Sequence, residues 1–350
     1  MKYSIVLTPT VDAHQVVARA ERLGFDRAWF FDSPMLYADI FVSMALAAHR
    51  TERIELGTGV VVPANRIPPV TANAIASLNA LAPGRVILGL GTGFTGRNTM
   101  GHGPMRLADL DHQMEVIREL LGGRDVLWRG EEGERRVRLL HTGDRFGATR
   151  PPVPIWLSGM GRRSMELTAR KADGWMAFAP GAEHGTQYLH GILAACARAG
   201  RDPDSLPRAI MSTGCVLDEG EPADSERGMA NGGPLAAVFF HNLVEGSLDF
   251  ELPPELAEAV ARLEKIYSGY QPADARYLEL HRGHLVRVRD EERPFITDEL
   301  IRMSSFTGTT AQLRGELDQL EAAGCDEFGI QLMAGHEHEI ERWAELFGLR

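Results

Sequence analysis

A short glycine loop in the middle of the chain has the composition of an anion site. Ser158-Gly159-Met160-Gly161 follows an apolar run and is followed by Arg162 and by a segment with helical spacing. The free N–H groups and the dipole at a helix N-terminus favour an anion such as a phosphate. A tight turn with solvated arginines would have the same sequence, so the loop alone does not decide between them.

Two other apolar runs, LGTGVVVP at 56–63 and LGLGTGFTG at 88–96, break into glycines. Glycine weakens a strand interior and usually marks a bulge, a kink or a close approach of a ligand. The second run matches the GxGxxG pattern of a Rossmann unit. However, the acidic residue that ends the next strand of such a unit is missing, so a dinucleotide-binding Rossmann fold is not predicted. Bare backbone at these strand ends is instead suited to a flat or phosphorylated ligand. The residues concerned are Gly57, Gly59, Val60, Gly91, Thr92 and Gly93.

The side chains with acid–base chemistry are few near the predicted strand ends. His102 follows the fourth strand and is the first candidate for proton delivery, since histidine titrates nearest neutral pH. Tyr37, His281 and His284 are expected to face the same substrate pocket. Neither HRGH at 281–284 nor HEH at 336–338 has the spacing of a zinc hydrolase, so no metal site is predicted.

Composition limits the class of partner. The chain has 350 residues and a formal net charge of -11, which argues against a nucleic acid or an anionic membrane and favours small molecules. Its three widely spaced cysteines predict no disulfide framework and suit a reducing cytoplasm. No apolar run is long enough to span a membrane, so a soluble protein is expected.

The elements that position these residues alternate between short apolar runs and longer segments of helical period. Eight such units predict a (β/α)8 barrel, an α/β fold, in one domain over residues 1–350. Two insertions interrupt the regular spacing of these units. One is a small hairpin at about 122–151, and the other is a long helical segment at about 219–305 that is expected to cover the active face. The predicted strands are 3–7, 27–31, 54–62, 86–91, 154–158, 174–178, 209–217 and 327–333.

Several longer motifs carry a family resemblance. They are FFDSPMLYADIF, TERIELGTGVVVPANRIPPVTANAIASLNAL, GRVILGLGTGFTG, PVPIWLSGMGRRSMELTARKADGWM and TGTTAQLRGELDQLEAAG. Together they resemble the luciferase-like superfamily of flavin and deazaflavin oxidoreductases. The resemblance is strongest to the deazaflavin branch, which includes methylenetetrahydromethanopterin reductase. It implies a (β/α)8 barrel, a homodimer and the deazaflavin coenzyme F420, with its ring at the carboxyl ends of the strands.

The resemblance also assigns roles by position. Asp32 would contact the polar edge of the ring, and Gly59 and Val60 would support its face through a cis peptide bond. The ring and its ribityl chain would be lined by Gly91, Thr92, Gly93, Arg97 and Asn98, and the phosphate would be held by Ser158, Gly159, Met160, Gly161 and Arg162. Ser33 stands where relatives often have a histidine, which leaves the proton donor open.

These observations favour hydride transfer between coenzyme F420 and a small organic substrate. The alternative is a two-component monooxygenase that uses FMN, because the same barrel rim serves both cofactors. A third hypothesis, prompted by Ser33, is a non-catalytic cofactor-binding protein.

Overall fold

The structure, a computed structural model, describes residues 1–93, 95–130, 133–143, 145–244 and 254–349. In chain order the strands are β1 (Lys2–Leu7), β2 (Arg27–Phe30), β3 (Glu55–Thr58), β4 (Val86–Leu90), β5 (Val126–Gly130), β6 (Gly133–Val137), β7 (Ile155–Ser158), β8 (Gly174–Phe178), β9 (Arg208–Ser212), β10 (Gly214–Leu217), β11 (Phe306–Thr309) and β12 (Glu327–Leu332). The helices are α1 (Ala13–Leu23), α2 (Ile40–Arg50), α3 (Pro68–Leu81), α4 (Thr95–Asn98), α5 (Leu107–Leu121), α6 (Arg162–Lys171), α7 (Ala182–Ala199), α8 (Glu226–Asn231), α9 (Gly233–Val244), α10 (Pro254–Ser268), α11 (Tyr277–Leu280), α12 (Asp298–Ser304), α13 (Thr310–Ala322) and α14 (Ile340–Phe347).

Eight of these strands close into a parallel barrel in the order β1-β12-β9-β8-β7-β4-β3-β2. The (β/α)8 barrel predicted from the alternating pattern is therefore confirmed. Because all strands run the same way, their carboxyl ends share one rim, where ligands of such barrels bind.

Two tryptophans fill the barrel interior and explain two of its glycines. Trp29 and Trp156 are buried with their rings 5.4 Å apart. A Cβ atom at Gly57 would lie 2.2 Å from Cε3 of Trp29, and one at Gly174 would lie 2.2 Å from Cε2 of Trp156. Gly57 therefore gives the space that the Trp29 ring needs, whereas a Cβ at Gly59 would meet nothing nearer than 3.5 Å.

The prediction of one seventh strand over 209–217 is wrong, because two separate strands occupy this segment. Only β9 belongs to the barrel, and β10 pairs in parallel with β11 in a separate two-stranded sheet. The close approach is at Gly214, where a Cβ atom would lie 1.9 Å from the carbonyl oxygen of Phe306. The chain therefore leaves the barrel after Ser212.

The long insertion has an apolar core of its own at the carboxyl rim. Helices α8 to α12 fall within it, and residues 245–253 of the predicted segment lie outside the described residues. Buried members of this core are Cys215, Leu217, Ala223, Met229, Ala236, Ala237, Phe240, Val260, Leu263, Tyr267, Leu280, Ile296 and Ile301. This packing gives the insertion defined positions from which side chains can reach the rim.

The smaller insertion contains the antiparallel hairpin of β5 and β6, as predicted for this segment. Residues 131, 132 and 144 of that insertion lie outside the described residues. Among the helices that the structure describes, none combines the length and apolarity needed to cross a membrane.

Candidate active site

A cavity of about 230 Å³ opens at the carboxyl rim of the barrel. Its apolar wall comes from strand ends and from the loop after β3, and its remaining wall comes from the long insertion. The lining residues with apolar side chains are Phe31, Val60, Val62, Met176, Ala177, Phe178, Met211 and Leu285. The polar side chains that line it are Asp32, Ser33, Tyr37, Thr95, Ser158 and His284. A mainly apolar cleft with a few converging polar groups is the usual composition of a small-molecule site.

Asp32 places a nearly buried carboxylate in the cavity wall, two residues after the end of β2. Burial raises the pKa of Asp32 to about 6, even though the Arg66 guanidinium opposes this shift; the nearby Asp39 raises it further. Among the described residues, its Oδ2 atom has no hydrogen-bond partner, and Nε of Arg66 lies 4.0 Å away. Asp32 can therefore change protonation near neutral pH, and it has an oxygen available to a ligand.

Arg66 is held away from Asp32 by a second carboxylate. Its Nη2 donates to Oδ2 of Asp39 at 2.5 Å, and its guanidinium lies 4.9 Å from the ring centre of Phe41. Asp39 also caps α2 by accepting hydrogen bonds from the N–H groups of Phe41 and Val42. Arg66 is thus shared between a surface cap and the buried acid, so Asp32 keeps a raised pKa.

The loop after β3 forms one side of the cavity and contains a cis peptide bond that does not involve proline. The peptide bond between Gly59 and Val60 is cis, which confirms the expectation drawn from the resemblance. N–H of Gly59 donates to the carbonyl oxygen of Phe30, and N–H of Gly91 donates to that of Val61. A Cβ atom at Gly91 would lie 2.7 Å from Cγ2 of Val60, so the glycine allows that side chain to pack against β4.

The insertion is tied to the rim beside the cavity. The Tyr37 hydroxyl donates to the carbonyl oxygen of His284 at 2.6 Å, and burial raises the pKa of that phenol. Nε2 of Gln331 on β12 donates to the carbonyl oxygen of Leu285 at 3.0 Å. Two barrel side chains therefore fix the backbone of residues 284 and 285 over the cavity.

The glycine loop after β7 leads from the cavity to the surface. Ser158 lines the cavity, and Trp175 Nε1 donates to the carbonyl oxygen of Gly159 at 2.9 Å. Gly161 is the N-cap of α6 and has no side chain that could accept from the first N–H groups of the helix. Arg162 is exposed and pairs with Glu166 of the same helix at 3.1 Å. The backbone at this helix start therefore has the character of an anion site, and Arg162 adds charge at its edge.

Three histidines of the insertion cluster behind the cavity wall. His241, His281 and His284 are buried, and one ligand nitrogen from each lies within 4.8 Å of the others. Nε2 of His284 lies 3.0 Å from Oγ1 of Thr95. Burial, followed by His241 and His281, lowers the pKa of His284, so its imidazole is neutral; Glu292 opposes the shift.

The structure separates the sequence-predicted site residues into three groups. Seven of them line the cavity: Asp32, Tyr37, Gly59, Val60, Gly93, Ser158 and His284. The group outside the cavity lining but on the segments that contribute to it, or directly adjoining them in sequence, consists of Gly91, Thr92, Arg97, Asn98, Gly159, Met160, Gly161, Arg162 and His281. His102 forms the third group: it is exposed and does not line the cavity, so the structure does not bring it to the other predicted site residues.

Sequence reasoning missed the apolar wall and the third histidine. Phe31 and Phe178, which end two predicted strands, lie 6.3 Å apart between ring centres at the cavity. Their position at strand ends was a usable signal. His241 interrupts the apolar segment GPLAAVFFHNLV, and a histidine on an apolar helix face is a signal of a buried polar contact.

An eight-stranded parallel barrel with this cavity at its carboxyl rim defines a (β/α)8-barrel enzyme that acts on small molecules. Residues 8–327 match the family described as luciferase-like monooxygenase. The chain belongs to this family, and the resemblance seen in its motifs is confirmed.

Individual relatives cover nearly the whole chain. It is 31% identical over 320 residues to 5,10-methylenetetrahydromethanopterin reductase of Methanolobus tindarius, covering 90% of this chain and 87% of the relative. It is 25% identical over 343 residues to the reductase of the same name from Archaeoglobus fulgidus, covering 96% and 93%. The fold matches that of coenzyme F420 dependent tetrahydromethanopterin reductase from Methanopyrus kandleri, with a TM-score of 0.70, 20% identity and coverage of 98% and 97%.

Proposed function

We propose that this enzyme transfers hydride between coenzyme F420 and a small organic substrate. The observation that carries the proposal is the apolar cavity at the barrel rim with the buried carboxylate of Asp32 in its wall. The relatives named above support the choice of cofactor. Within this proposal the chain works as one barrel domain, with the long insertion over the active face, and as a cytoplasmic homodimer.

The residues present fit a cofactor with a flat ring and a phosphate-bearing tail. A volume of about 230 Å³ lies below the range of about 300–1,000 Å³ usual for pockets that enclose a whole ligand. A ring would therefore enter the cavity while its tail extends along Ser158 to the start of α6. The unpartnered Oδ2 of Asp32 gives the ring a polar contact inside, and the N–H groups of α6 suit the phosphate outside.

When bound, the deazaflavin supplies the hydride chemistry, and the chain supplies position and a proton. The apolar side chains of Phe31, Val60 and Phe178 exclude water from the reacting faces. Asp32 holds a proton at its carboxyl group below about pH 6 and can accept one above it. His102 is exposed at a distance from the lining, so we assign the proton to Asp32 in its place.

The FMN-dependent monooxygenase remains the second candidate, because the family that the chain matches is described by that activity. The cavity walls do not discriminate between two rings of similar shape. A non-catalytic cofactor-binding protein is the third candidate. It is suggested by Ser33, which stands where relatives often have a histidine. The titratable Asp32 in the wall favours an enzyme over this third candidate.

Binding of each cofactor to the purified enzyme tests the proposal. We expect fluorescence titration to give micromolar binding of coenzyme F420 and much weaker binding of FMN; the reverse order would favour the monooxygenase. Ser158→Trp should block binding by filling the cavity. Leu140→Trp, which adds the same ring at a position that is 76% exposed and remote from the lining, is the matched control. Tight binding of F420 without oxidation of its reduced form by any of a panel of metabolites would favour the non-catalytic protein.

A further inference from the structure

The buried histidine cluster of the insertion is not needed for the proposed hydride transfer. His241 lies on α9, His281 follows α11 directly, and His284 comes three residues later. Their relative exposures are 3%, 2% and 4%, and their ligand nitrogens lie within 4.8 Å of one another. Three buried imidazoles this close together are an unusual arrangement, because histidine side chains are only intermediate in their tendency to be buried.

A carboxylate fixes which nitrogen of His241 carries the proton. Nε2 of His241 lies 2.6 Å from Oε1 of Glu292. The same carboxylate accepts from the Tyr267 hydroxyl at 2.8 Å and from Nη2 of Arg289 at 2.5 Å. A carboxylate paired with a guanidinium is ionised and accepts the Nε2 proton of His241, so Nδ1 is the nitrogen of this imidazole that is left for a metal ion.

The Nδ1 atoms of His241 and His284 lack hydrogen-bond partners among the described residues. For His284, Oγ1 of Thr95 lies 3.0 Å from Nε2, so Nε2 has a hydrogen-bond partner and Nδ1 is left for a ligand. Two imidazoles of the cluster therefore each have one nitrogen engaged by a protein group and one that no described residue engages. In a metal site, a ligating histidine commonly donates its other N–H to a carboxylate or hydroxyl in the same way.

We propose that His241, His281 and His284 bind a divalent transition-metal ion of the zinc class. Three imidazole ligands without a carboxylate among them suit Zn²⁺ or Co²⁺ and do not suit Mg²⁺ or Ca²⁺, which take oxygen ligands. Zinc–nitrogen bonds of about 2.0–2.1 Å place two ligand nitrogens roughly 3.3 Å apart in a tetrahedron, so the rings must close from their present limit of 4.8 Å. Water would occupy the fourth position.

The ion would fix the insertion over the active face. His241 is a buried residue of α9 and follows Phe240, which belongs to the apolar core of the insertion. The carbonyl oxygen of His284 accepts a hydrogen bond from Tyr37 of the barrel, and His284 lines the cavity. A metal that joins the two histidines would therefore set the position of the cavity wall. This role is independent of which cofactor the barrel binds.

Metal binding to the full-length enzyme tests the proposal. After treatment with a chelator, the wild-type enzyme should bind one equivalent of Zn²⁺ by calorimetry, and its Tm should rise with the Zn²⁺ concentration. With Co²⁺ it should give the strong visible absorption of a tetrahedral ion. A wild-type enzyme that binds no equivalent, or that binds Co²⁺ with only the weak absorption of an octahedral ion, would overturn the site.

Variants locate the ion. His281→Ala should lose the bound equivalent, and Glu292→Gln should weaken binding about 10–100-fold by removing the carboxylate that orients His241. His338→Ala is the matched control, since this histidine is 64% exposed and belongs to a separate pair with His336. Zn²⁺ affinity that survives in His281→Ala but falls in His338→Ala would place the ion at the surface pair and refute the proposal.

Discussion

Replacement of Asp32 by asparagine should stabilise the cofactor-free enzyme, and the gain should depend on pH. Burial raises the pKa of Asp32 from 3.8 to about 6 in the folded state. Since a tenfold change in proton affinity is worth about 1.4 kcal/mol, ionised Asp32 destabilises the fold by up to about 3 kcal/mol above pH 6. The ionised form is destabilising because the folded chain binds the proton of Asp32 more tightly than the unfolded chain does. Wild-type stability therefore falls as the pH rises from 4 to 6.

Urea unfolding of both proteins from pH 4 to pH 8 measures this effect. The variant should match the wild type near pH 4 and exceed it progressively up to about pH 6, after which the difference should remain constant. Asp298→Asn is the control of opposite sign, because the hydrogen bond from Arg302 lowers the pKa of Asp298, which lies outside the cavity lining. A difference for Asp32→Asn that is independent of pH, or a variant less stable than the wild type at pH 8, would refute the raised pKa.

Three further substitutions test other parts of the site. Gly57→Ala should lower the free energy of unfolding by about 1–3 kcal/mol, because its Cβ atom would lie 2.2 Å from the ring of Trp29; Gly59→Ala, with 3.5 Å of space, should cost less in the same urea titration. Arg162→Ala should weaken binding of the phosphorylated cofactor by about threefold, as an exposed charge contributes little, and should leave the affinity for a dephosphorylated analogue unchanged; equal losses would make the arginine structural. Tyr37→Phe leaves a carbonyl of the insertion unsatisfied and should cost about 1–3 kcal/mol in urea unfolding, whereas an unchanged midpoint would show that water replaces the hydroxyl.

Local patterns predicted the barrel well because each strand is a short apolar run with its own turn signals. They failed where a distant residue decides the outcome. The strand predicted at 209–217 is divided because Gly214 meets the backbone of Phe306, which lies far along the chain. No local spacing contains that contact.

The candidate site also contains residues that the sequence could identify and residues that only the fold brings together. Asp32 was found through the family resemblance, which assigned it a role by position, and the structure places it in the cavity wall two residues after β2. His102 also follows a strand, but twelve positions that include α4 separate it from the end of β4, and its side chain is exposed. His241 lies 40 or more positions from His281 and His284, so only the packing of the insertion brings the three together.

The parallel pairing of β10 with β11 has a consequence for how such enzymes diversify. These strands stand at the two ends of the long insertion, and their pairing from Gly214 with Phe306 to Leu217 with Thr309 holds the entry and exit of that segment side by side. A segment whose ends are already adjacent can be lengthened, shortened or exchanged with little effect on the body that carries it. Evolution can therefore exchange this segment, and with it the part of the cavity wall that His284 and Leu285 supply, while the barrel is inherited intact.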